Sequence, residues 1–152
     1  MLTLSNSASY AVKALSCMQE GEDRPRFVKD IAAACGVPPA YLAKIFKKLV
    51  DAGILVSKRG WAGGTDLARA PGEIRVIEIV EALDGKEFLE GCLLGNEICS
   101  DERACPLHQF WKRERVLIAG ELHKQTLADV IAFEERRARA RQSRQAIASA
   151  SA

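Results

Sequence analysis

The segment between Gly36 and Gly53 constrains the fold more than any other part of this 152-residue chain. It reads VPPAYLAKIFKKLVDAG, and its apolar residues recur at the i, i+3, i+4, i+7 spacing of one helix face. Proline suits the first turn of a helix because the N–H it lacks would have no helical partner. Glycine after the last apolar residue is a common helix stop. We therefore predict an amphipathic helix from Pro39 to just before Gly53. Its apolar face comprises Leu42, Ile45, Phe46, Leu49 and Val50.

Short helices precede this segment and a glycine-rich hairpin follows it. Periodicity predicts helices over 7–19 and 28–35, and strands over 54–56 and 65–69 on either side of the basic run SKRGWAGG. Further along, the chain predicts a helix over 74–84, a cysteine-containing loop, a longer helix from about 107, a short helix over 127–135, and an Arg-rich stretch that is either mobile or a fraying helix. This order predicts a mainly α fold, a winged helix-turn-helix with a small β-hairpin wing and a long C-terminal helix.

The charge distribution around this unit favours a polyanion partner. Residues 38–69 hold six basic residues against two acidic ones, whereas residues 70–102 hold two against nine. Lysines on the helix can reach phosphates or base edges in a major groove, and an arginine at the tip of the hairpin can enter a minor groove. The bland alternative is a solvated lysine face with Tyr41 packed against the core. The predicted DNA-contacting residues are Pro39, Ala40, Tyr41, Lys44, Lys47, Lys48, Lys58, Arg59 and Gly60.

Composition narrows the class of protein. No apolar run approaches the length needed to cross a bilayer, and the N-terminus lacks the pattern of a signal peptide. Five cysteines, an odd number, give no framework for a disulfide scaffold, so we expect a cytoplasmic protein. The chain has two histidines and no nucleophile–base pair, phosphate loop or paired catalytic carboxylates, so we expect neither an enzyme nor a small-molecule substrate.

Three cysteines and a histidine lie close together after the predicted winged helix. Cys92, Cys99, Cys105 and His108 have the spacing Cys-x6-Cys-x5-Cys-x2-His, and thiolates with an imidazole are ligands for soft metals or iron–sulfur clusters. A structural Cys3His zinc site is an alternative, although zinc sites usually contain a closely spaced cysteine pair. A metal-free thiol switch and inert cysteines also stay open. The other two cysteines, Cys17 and Cys35, lie on apolar helix faces and are expected in the core.

Five segments together resemble the Rrf-two superfamily of bacterial winged-helix regulators, whose members include IscR, NsrR and RirA. They are LSNSASYAVKAL, VPPAYLAKIFKKLVDAGIL, KRGWAGG, IRVIEIVEALDG and the cysteine loop with CPLH, and they run in order from about residue 1 to 131. The resemblance implies a homodimer that binds a palindromic double-stranded operator and carries a [2Fe–2S] or [4Fe–4S] cluster. It also implies that the recognition helix is 39–51, that Arg59 is the wing arginine, and that the long helix carries the dimer contact.

The same resemblance assigns Cys92, Cys99 and Cys105 to the cluster. In IscR-like members the fourth ligand is a histidine that His108 matches, whereas NsrR-like members use an acidic residue near the N-terminus, where this chain has none. We expect His108, or no protein ligand, at the fourth position. The function implied is a transcription regulator, of repressor type, that senses redox state, nitric oxide or iron–sulfur status. The predicted division is 1–85 for DNA binding, 86–108 for the cluster loop, 109–135 for dimerisation helices and 136–152 for a flexible basic tail.

Overall fold

The computed structural model describes residues 4–18, 27–58, 63–95 and 99–150, without the side chains of 146–150. Within those ranges, the chain forms six helices and one two-stranded antiparallel sheet. The helices are α1 (Asn6–Ser16), α2 (Val28–Cys35), α3 (Pro39–Asp51), α4 (Val76–Asp84), α5 (His108–Lys124) and α6 (Leu127–Ala150). The strands are β1 (Leu55–Lys58) and β2 (Gly64–Leu67), with Leu55 opposite Leu67 and Lys58 opposite Gly64. This is the predicted winged helix-turn-helix with its hairpin wing.

The core is built from the apolar faces of the first four helices. α3 contributes the face that its sequence pattern predicts, with Leu42, Ile45, Phe46 and Leu49 buried. The cluster continues through the Ala-rich face of α1, the Ile31 face of α2 and the Val-Ile face of α4. Cys35 is 2% exposed and belongs to this cluster, whereas Cys17 packs against its edge. α3 is therefore packed against the core on one side, and its opposite side is exposed.

Helix α4 connects the winged helix to the C-terminal helices. At its start, the Val76 N–H donates to the Gln125 carbonyl at 3.0 Å and the Leu127 N–H donates to the Ile74 carbonyl at 2.8 Å. Arg75 adds a third tie, because its guanidinium donates to the His123 carbonyl at the end of α5. The joint between α5 and α6 is therefore fastened to the first turn of α4.

Several elements differ in extent from the sequence predictions, the strands by one or two residues and three helices by more. α1 ends at Ser16 rather than at 19, and α4 begins at Val76, after a 3-10 turn over Pro71–Glu73. The last helix is much longer than the nine residues predicted, since α6 continues through the Arg-rich stretch to Ala150. Arg, Ala and Gln are strong helix formers, and ion pairs one turn apart, Arg137 with Glu134 and Arg139 with Glu135, support the extension. The sequence pattern missed this because the stretch has no apolar face.

Candidate nucleic-acid interface and cysteine site

The outer side of α3 presents a stripe of small and basic side chains. Ala40, Ala43, Lys44 and Lys47 are all exposed, and their spacing places them on one face, one helical turn apart. Pro39, at the first turn, is exposed as well. Small residues near the start and ammonium groups further along leave room for a nucleic-acid backbone to approach the helix closely. This surface has the shape and charge that a major-groove contact requires.

Lys48, one helical turn after Lys44, lies at the edge of this stripe and has a partner within the chain. Its ammonium donates to the carbonyl of Leu83 at 3.0 Å, in the last turn of α4. A cation at the C-terminal end of a helix satisfies a carbonyl that lacks a helical partner and is favoured by the helix dipole. The sequence predicts that Lys44, Lys47 and Lys48 share one DNA-facing surface. In the structure Lys48 also ties α3 to α4, and its contact with DNA stays a prediction.

Tyr41 also has partners within the chain. Its hydroxyl lies 2.8 Å from Ser7 Oγ, near the start of α1, and its ring meets Tyr10 edge-on with centroids 5.8 Å apart. Ser5 caps α1 by accepting from the Ala8 N–H. The first turns of α1 and α3 therefore lie side by side, and the Tyr41 ring and hydroxyl join them.

The wing is described only in part. Lys58, the last residue of β1, lies 3.5 Å from Asp66 across the hairpin, and both side chains are about half exposed. An exposed pair of this kind contributes little stability, so Lys58 can leave Asp66 for a phosphate at small cost. Arg59 and Gly60, the predicted minor-groove contacts, lie outside the described residues.

The cysteine loop between α4 and α5 is held mainly by backbone hydrogen bonds. The indole N–H of Trp111 donates to the Gly91 carbonyl at 2.8 Å, and the Cys99 N–H approaches the Glu90 carbonyl at 3.4 Å. At the far end, the His108 N–H donates to the Cys105 carbonyl at 2.9 Å, in the turn that starts α5. These contacts bring the predicted ligands together although few apolar groups of the loop are buried.

The four predicted ligands meet as two pairs. Cys92 Sγ lies 3.8 Å from Cys105 Sγ, and Cys99 Sγ lies 3.1 Å from His108 Nδ1. Two thiolates at about 2.3 Å from one tetrahedral metal ion lie about 3.8 Å apart, so the sulfur pair has the spacing of ligands on a single ion. His108 is 2% exposed, whereas the three cysteines are partly buried.

A single-ion site does not follow from this arrangement. Among the described residues, no group of three or more His, Cys, Asp or Glu side chains converges on one metal position. A tetrahedral zinc site requires all four donors around one ion. A [2Fe–2S] cluster divides its four ligands between two irons, and histidine can replace cysteine on one of them. Here one pair consists of two sulfurs and the other of a sulfur and an imidazole. Two separate pairs fit the two irons of a [2Fe–2S] cluster better than they fit a single zinc ion.

A second layer of charged residues supports His108, and the sequence reasoning missed it. Asp101 Oδ1 lies 2.8 Å from His108 Nε2, and the Lys112 ammonium donates to both carboxylate oxygens of Asp101 at 3.0 and 2.9 Å. The Lys112 and His108 donors hold the pKa of the Asp101 carboxyl below its usual value. Lys112 follows His108 by four residues on α5, which places both on one helix face, but this spacing gives no indication of Asp101.

Comparison with known proteins places the chain in a family. The family model described as Iron-dependent Transcriptional regulator, Rrf2, matches residues 4–133. IscR of Serratia proteamaculans, an HTH-type transcriptional regulator, is 30% identical over 131 residues, covering 86% of this chain and 79% of the relative.

Solved structures agree with this assignment. T. potens IscR is 28% identical, superposes with a TM-score of 0.70 and is matched over 90% of either chain. CymR, the global cysteine regulator of B. subtilis, has a TM-score of 0.72 at 24% identity, over 88% of this chain and 98% of that one, which shows the shared fold. No helix in the described part of the chain is long and apolar enough to span a membrane. The chain therefore belongs to the Rrf2 family of winged-helix transcriptional regulators, which bind DNA and are not enzymes.

Proposed function

We propose that this regulator senses iron–sulfur status through a cluster held by Cys92, Cys99, Cys105 and His108, and that the cluster controls operator binding. One observation carries the proposal, the meeting of these side chains in two pairs, sulfur with sulfur at 3.8 Å and sulfur with imidazole at 3.1 Å. When bound, the cluster supplies a redox-active centre that oxidants or nitric oxide can attack. The pairing favours a [2Fe–2S] cluster, with one pair of ligands on each iron.

The proposed route from the cysteine loop to DNA passes through the last turn of α4. The loop begins directly after Asp84, whose carboxylate accepts from the Ser5 hydroxyl at 2.6 Å at the start of α1. Leu83, one residue earlier, accepts from Lys48 on the recognition helix. A shift of the loop therefore pulls at both α1 and α3, the two helices whose first turns lie side by side.

The proposed DNA interface combines the exposed face of α3 with the wing. Lys44 and Lys47 would bind phosphates or base edges, with Pro39, Ala40 and Tyr41 at the helix start. Lys58, at the end of β1, and Arg59 and Gly60, which follow it in the sequence, would add the wing contacts. Each phosphate neutralised releases counterions, so affinity should fall by roughly 0.9 log units per contact for each log unit of salt. The operator that suits two such units is palindromic.

A second copy of the chain is the proposed partner of α5. This 17-residue helix buries only His108 and Trp111, and Val116 and Leu117 are 67% and 62% exposed. Exposed apolar side chains grouped on one helix are typical of a surface that another protein chain covers. A homodimer through α5 would set the separation of the two recognition helices on DNA.

The test of the cluster is anaerobic purification followed by reconstitution with iron and sulfide. We expect visible sulfide-to-iron absorption and about two irons per chain in the wild type. Mössbauer spectra should resolve two unlike iron sites, one with two thiolates and one with a thiolate and an imidazole. Cys92→Ala should lose the iron, whereas Cys17→Ala, a cysteine at the end of α1, should keep it. Wild-type protein without iron or sulfide after reconstitution would rule the cluster out.

A metal-free thiol switch is the second candidate, supported by the 3.8 Å distance between Cys92 Sγ and Cys105 Sγ. Oxidation by a peroxide would join the two sulfurs, with loss of both thiol protons and reduction of the peroxide to water. Mass spectrometry of iron-free protein after mild peroxide would find a Cys92–Cys105 disulfide, and operator binding would change with it. Iron-free protein whose binding is unaffected by peroxide would exclude this candidate.

A further inference from the structure

His108 has both of its ring nitrogens engaged by other side chains. Nδ1 lies 3.1 Å from Cys99 Sγ, and Nε2 lies 2.8 Å from Asp101 Oδ1. The imidazole itself is almost fully buried at the start of α5, whereas the Asp101 side chain is 68% exposed. A surface carboxylate therefore reaches inward to the one histidine among the proposed ligands.

The carboxylate is itself held in place by the helix that carries the imidazole. The Lys112 ammonium bridges both oxygens of Asp101, and Lys112 lies one turn beyond His108 on α5. Asp101, at the start of a 3-10 turn over Asp101–Arg103, is thus bound to α5 at two points one turn apart. Such a double attachment fixes the direction of the carboxylate more firmly than an exposed aspartate alone would permit.

The direction of these contacts decides which nitrogen carries the proton. An ionised carboxylate only accepts hydrogen bonds, so Nε2 must be the donor to Asp101. In a neutral imidazole the other nitrogen then has a free lone pair. That lone pair is on Nδ1, the atom that faces the sulfur of Cys99. Histidines that bind metals are commonly oriented by a carboxylate in this way.

We propose that Asp101 is a positioning residue that fixes His108 in the tautomer protonated on Nε2, so that Nδ1 is the atom offered beside Cys99 to iron. Lys112 contributes by holding Asp101. The statement about the tautomer depends only on contacts within the chain. The statement about iron rests on the proposed cluster function, and the two can fail separately.

The tautomer is tested on reduced, iron-free full-length protein by long-range 1H–15N correlation NMR, at a pH where imidazoles are neutral. The chain has two histidines, so His123→Gln assigns the spectrum. We expect one Nε2-protonated species for His108 in the wild type and a mixture of both tautomers in Asp101→Ala. Glu102→Ala, which removes the neighbouring exposed carboxylate, should keep the single tautomer. In Lys112→Met, the fraction of the second tautomer should be intermediate between its fractions in Glu102→Ala and Asp101→Ala.

The role toward iron is tested on the same variants after anaerobic reconstitution, by the rate at which a chelator removes the iron. Loss of a group that orients a metal ligand commonly weakens binding by about 10- to 100-fold. We expect iron loss at least about tenfold faster in Asp101→Ala than in Glu102→Ala, with circular dichroism unchanged.

The NMR experiment and the chelator experiment can each contradict the proposal. An Nδ1-protonated His108 in the wild type, or the same single tautomer in wild type and Asp101→Ala, would reject the positioning role. Equal rates of iron loss in Asp101→Ala and Glu102→Ala would reject the role toward the cluster while the tautomer result stands. Wild type that takes up no iron would reject the proposed function and the role of Asp101 toward iron. The statement about the His108 tautomer would be unaffected.

Discussion

The winged-helix half and the segment that follows it are stabilised in different ways. Helices α1–α4 share a continuous apolar core, and among the described residues no fully buried member of that core lies between Leu83 and Leu127, although Phe88 and Leu122 pack against it. The cysteine loop and α5 lie in that gap, held by these few apolar contacts, by backbone hydrogen bonds, and by the side chains of Trp111, Arg75 and His108. Burial of apolar surface is the dominant favourable term in folding. The winged helix is therefore stabilised mainly by its own apolar core, whereas the cysteine loop and α5 bury less apolar surface, and we propose that a cluster and a second chain stabilise them.

The largest expected effect contrasts a core leucine with a loop leucine. Leu49→Ala removes a fully buried side chain of α3, and we expect a loss of about 2 to 5 kcal/mol in the free energy of unfolding. Leu94→Ala changes a side chain of the cysteine loop that is 55% exposed, and should alter stability by less than about 0.5 kcal/mol. Urea denaturation followed by circular dichroism measures both. Similar losses of stability in Leu49→Ala and Leu94→Ala would contradict the difference between the core and the cysteine loop.

A charge on α5 should separate the two chains. Leu117→Glu places a carboxylate where we propose an apolar contact, and burying an unpaired charge costs several kcal/mol. We expect the dimer dissociation constant to rise on the order of a hundredfold, corresponding to about 2.7 kcal/mol. Sedimentation equilibrium measures it.

The control for that experiment is Gln109→Glu, which adds the same charge to an exposed position near the start of α5. It should leave the dissociation constant within about threefold of wild type, as expected for a surface change. A wild-type chain that stays monomeric, or a Leu117→Glu variant that dimerises normally, would contradict a dimer through α5.

A smaller effect is expected from one lysine of the recognition helix. Lys47→Met removes a cation from the exposed stripe of α3, and the slope of log affinity against log salt should become shallower by about 0.9 for each phosphate that the variant no longer neutralises. Lys124→Met, which removes an exposed cation at the end of α5, should leave the slope unchanged. Fluorescence anisotropy across a salt series separates them. Equal slopes for Lys47→Met and wild type would exclude Lys47 from the proposed phosphate contacts.

The smallest expected effect distinguishes the role of Lys48 from that of Lys47. Lys48→Met abolishes the hydrogen bond to the Leu83 carbonyl, and we expect a loss of about 1 kcal/mol in stability with no change in the salt slope. The same denaturation and anisotropy measurements apply. A salt slope that falls as it does in Lys47→Met would show that Lys48 releases Leu83 and binds a phosphate.

Much of the DNA-reading half could be predicted from sequence because its elements carry strong local signals. The apolar period, Pro39 and the glycine stop define α3 to within a residue, and the glycine-rich basic run marks the hairpin. The family was recognisable from the order of these segments. The partner of Lys48 was not, because a lysine on an exposed part of a helix gives no sign of which distant carbonyl it will meet.

The cysteine site was predictable in composition but not in arrangement. The spacing of Cys92, Cys99, Cys105 and His108 indicates shared chemistry, yet spacing alone does not tell which ligands pair across an irregular loop. The support of His108 by Asp101 comes from a contact seven residues apart through a 3-10 turn, for which no sequence period exists. The full length of α6 was not predicted because its Arg- and Ala-rich end forms a helix by intrinsic propensity and has no apolar face to reveal it.

In the proposed function, iron bound by the cysteine loop changes the affinity of the recognition helix for the operator. The most direct measurement is operator affinity, by anisotropy at one fixed salt concentration, of anaerobically loaded protein before and after the iron is removed by a chelator. Coupling between two sites is typically about 5- to 150-fold. We expect a change of about tenfold or more in the wild type and none in Cys92→Ala. Loaded and stripped wild type that bind the operator equally well would contradict it.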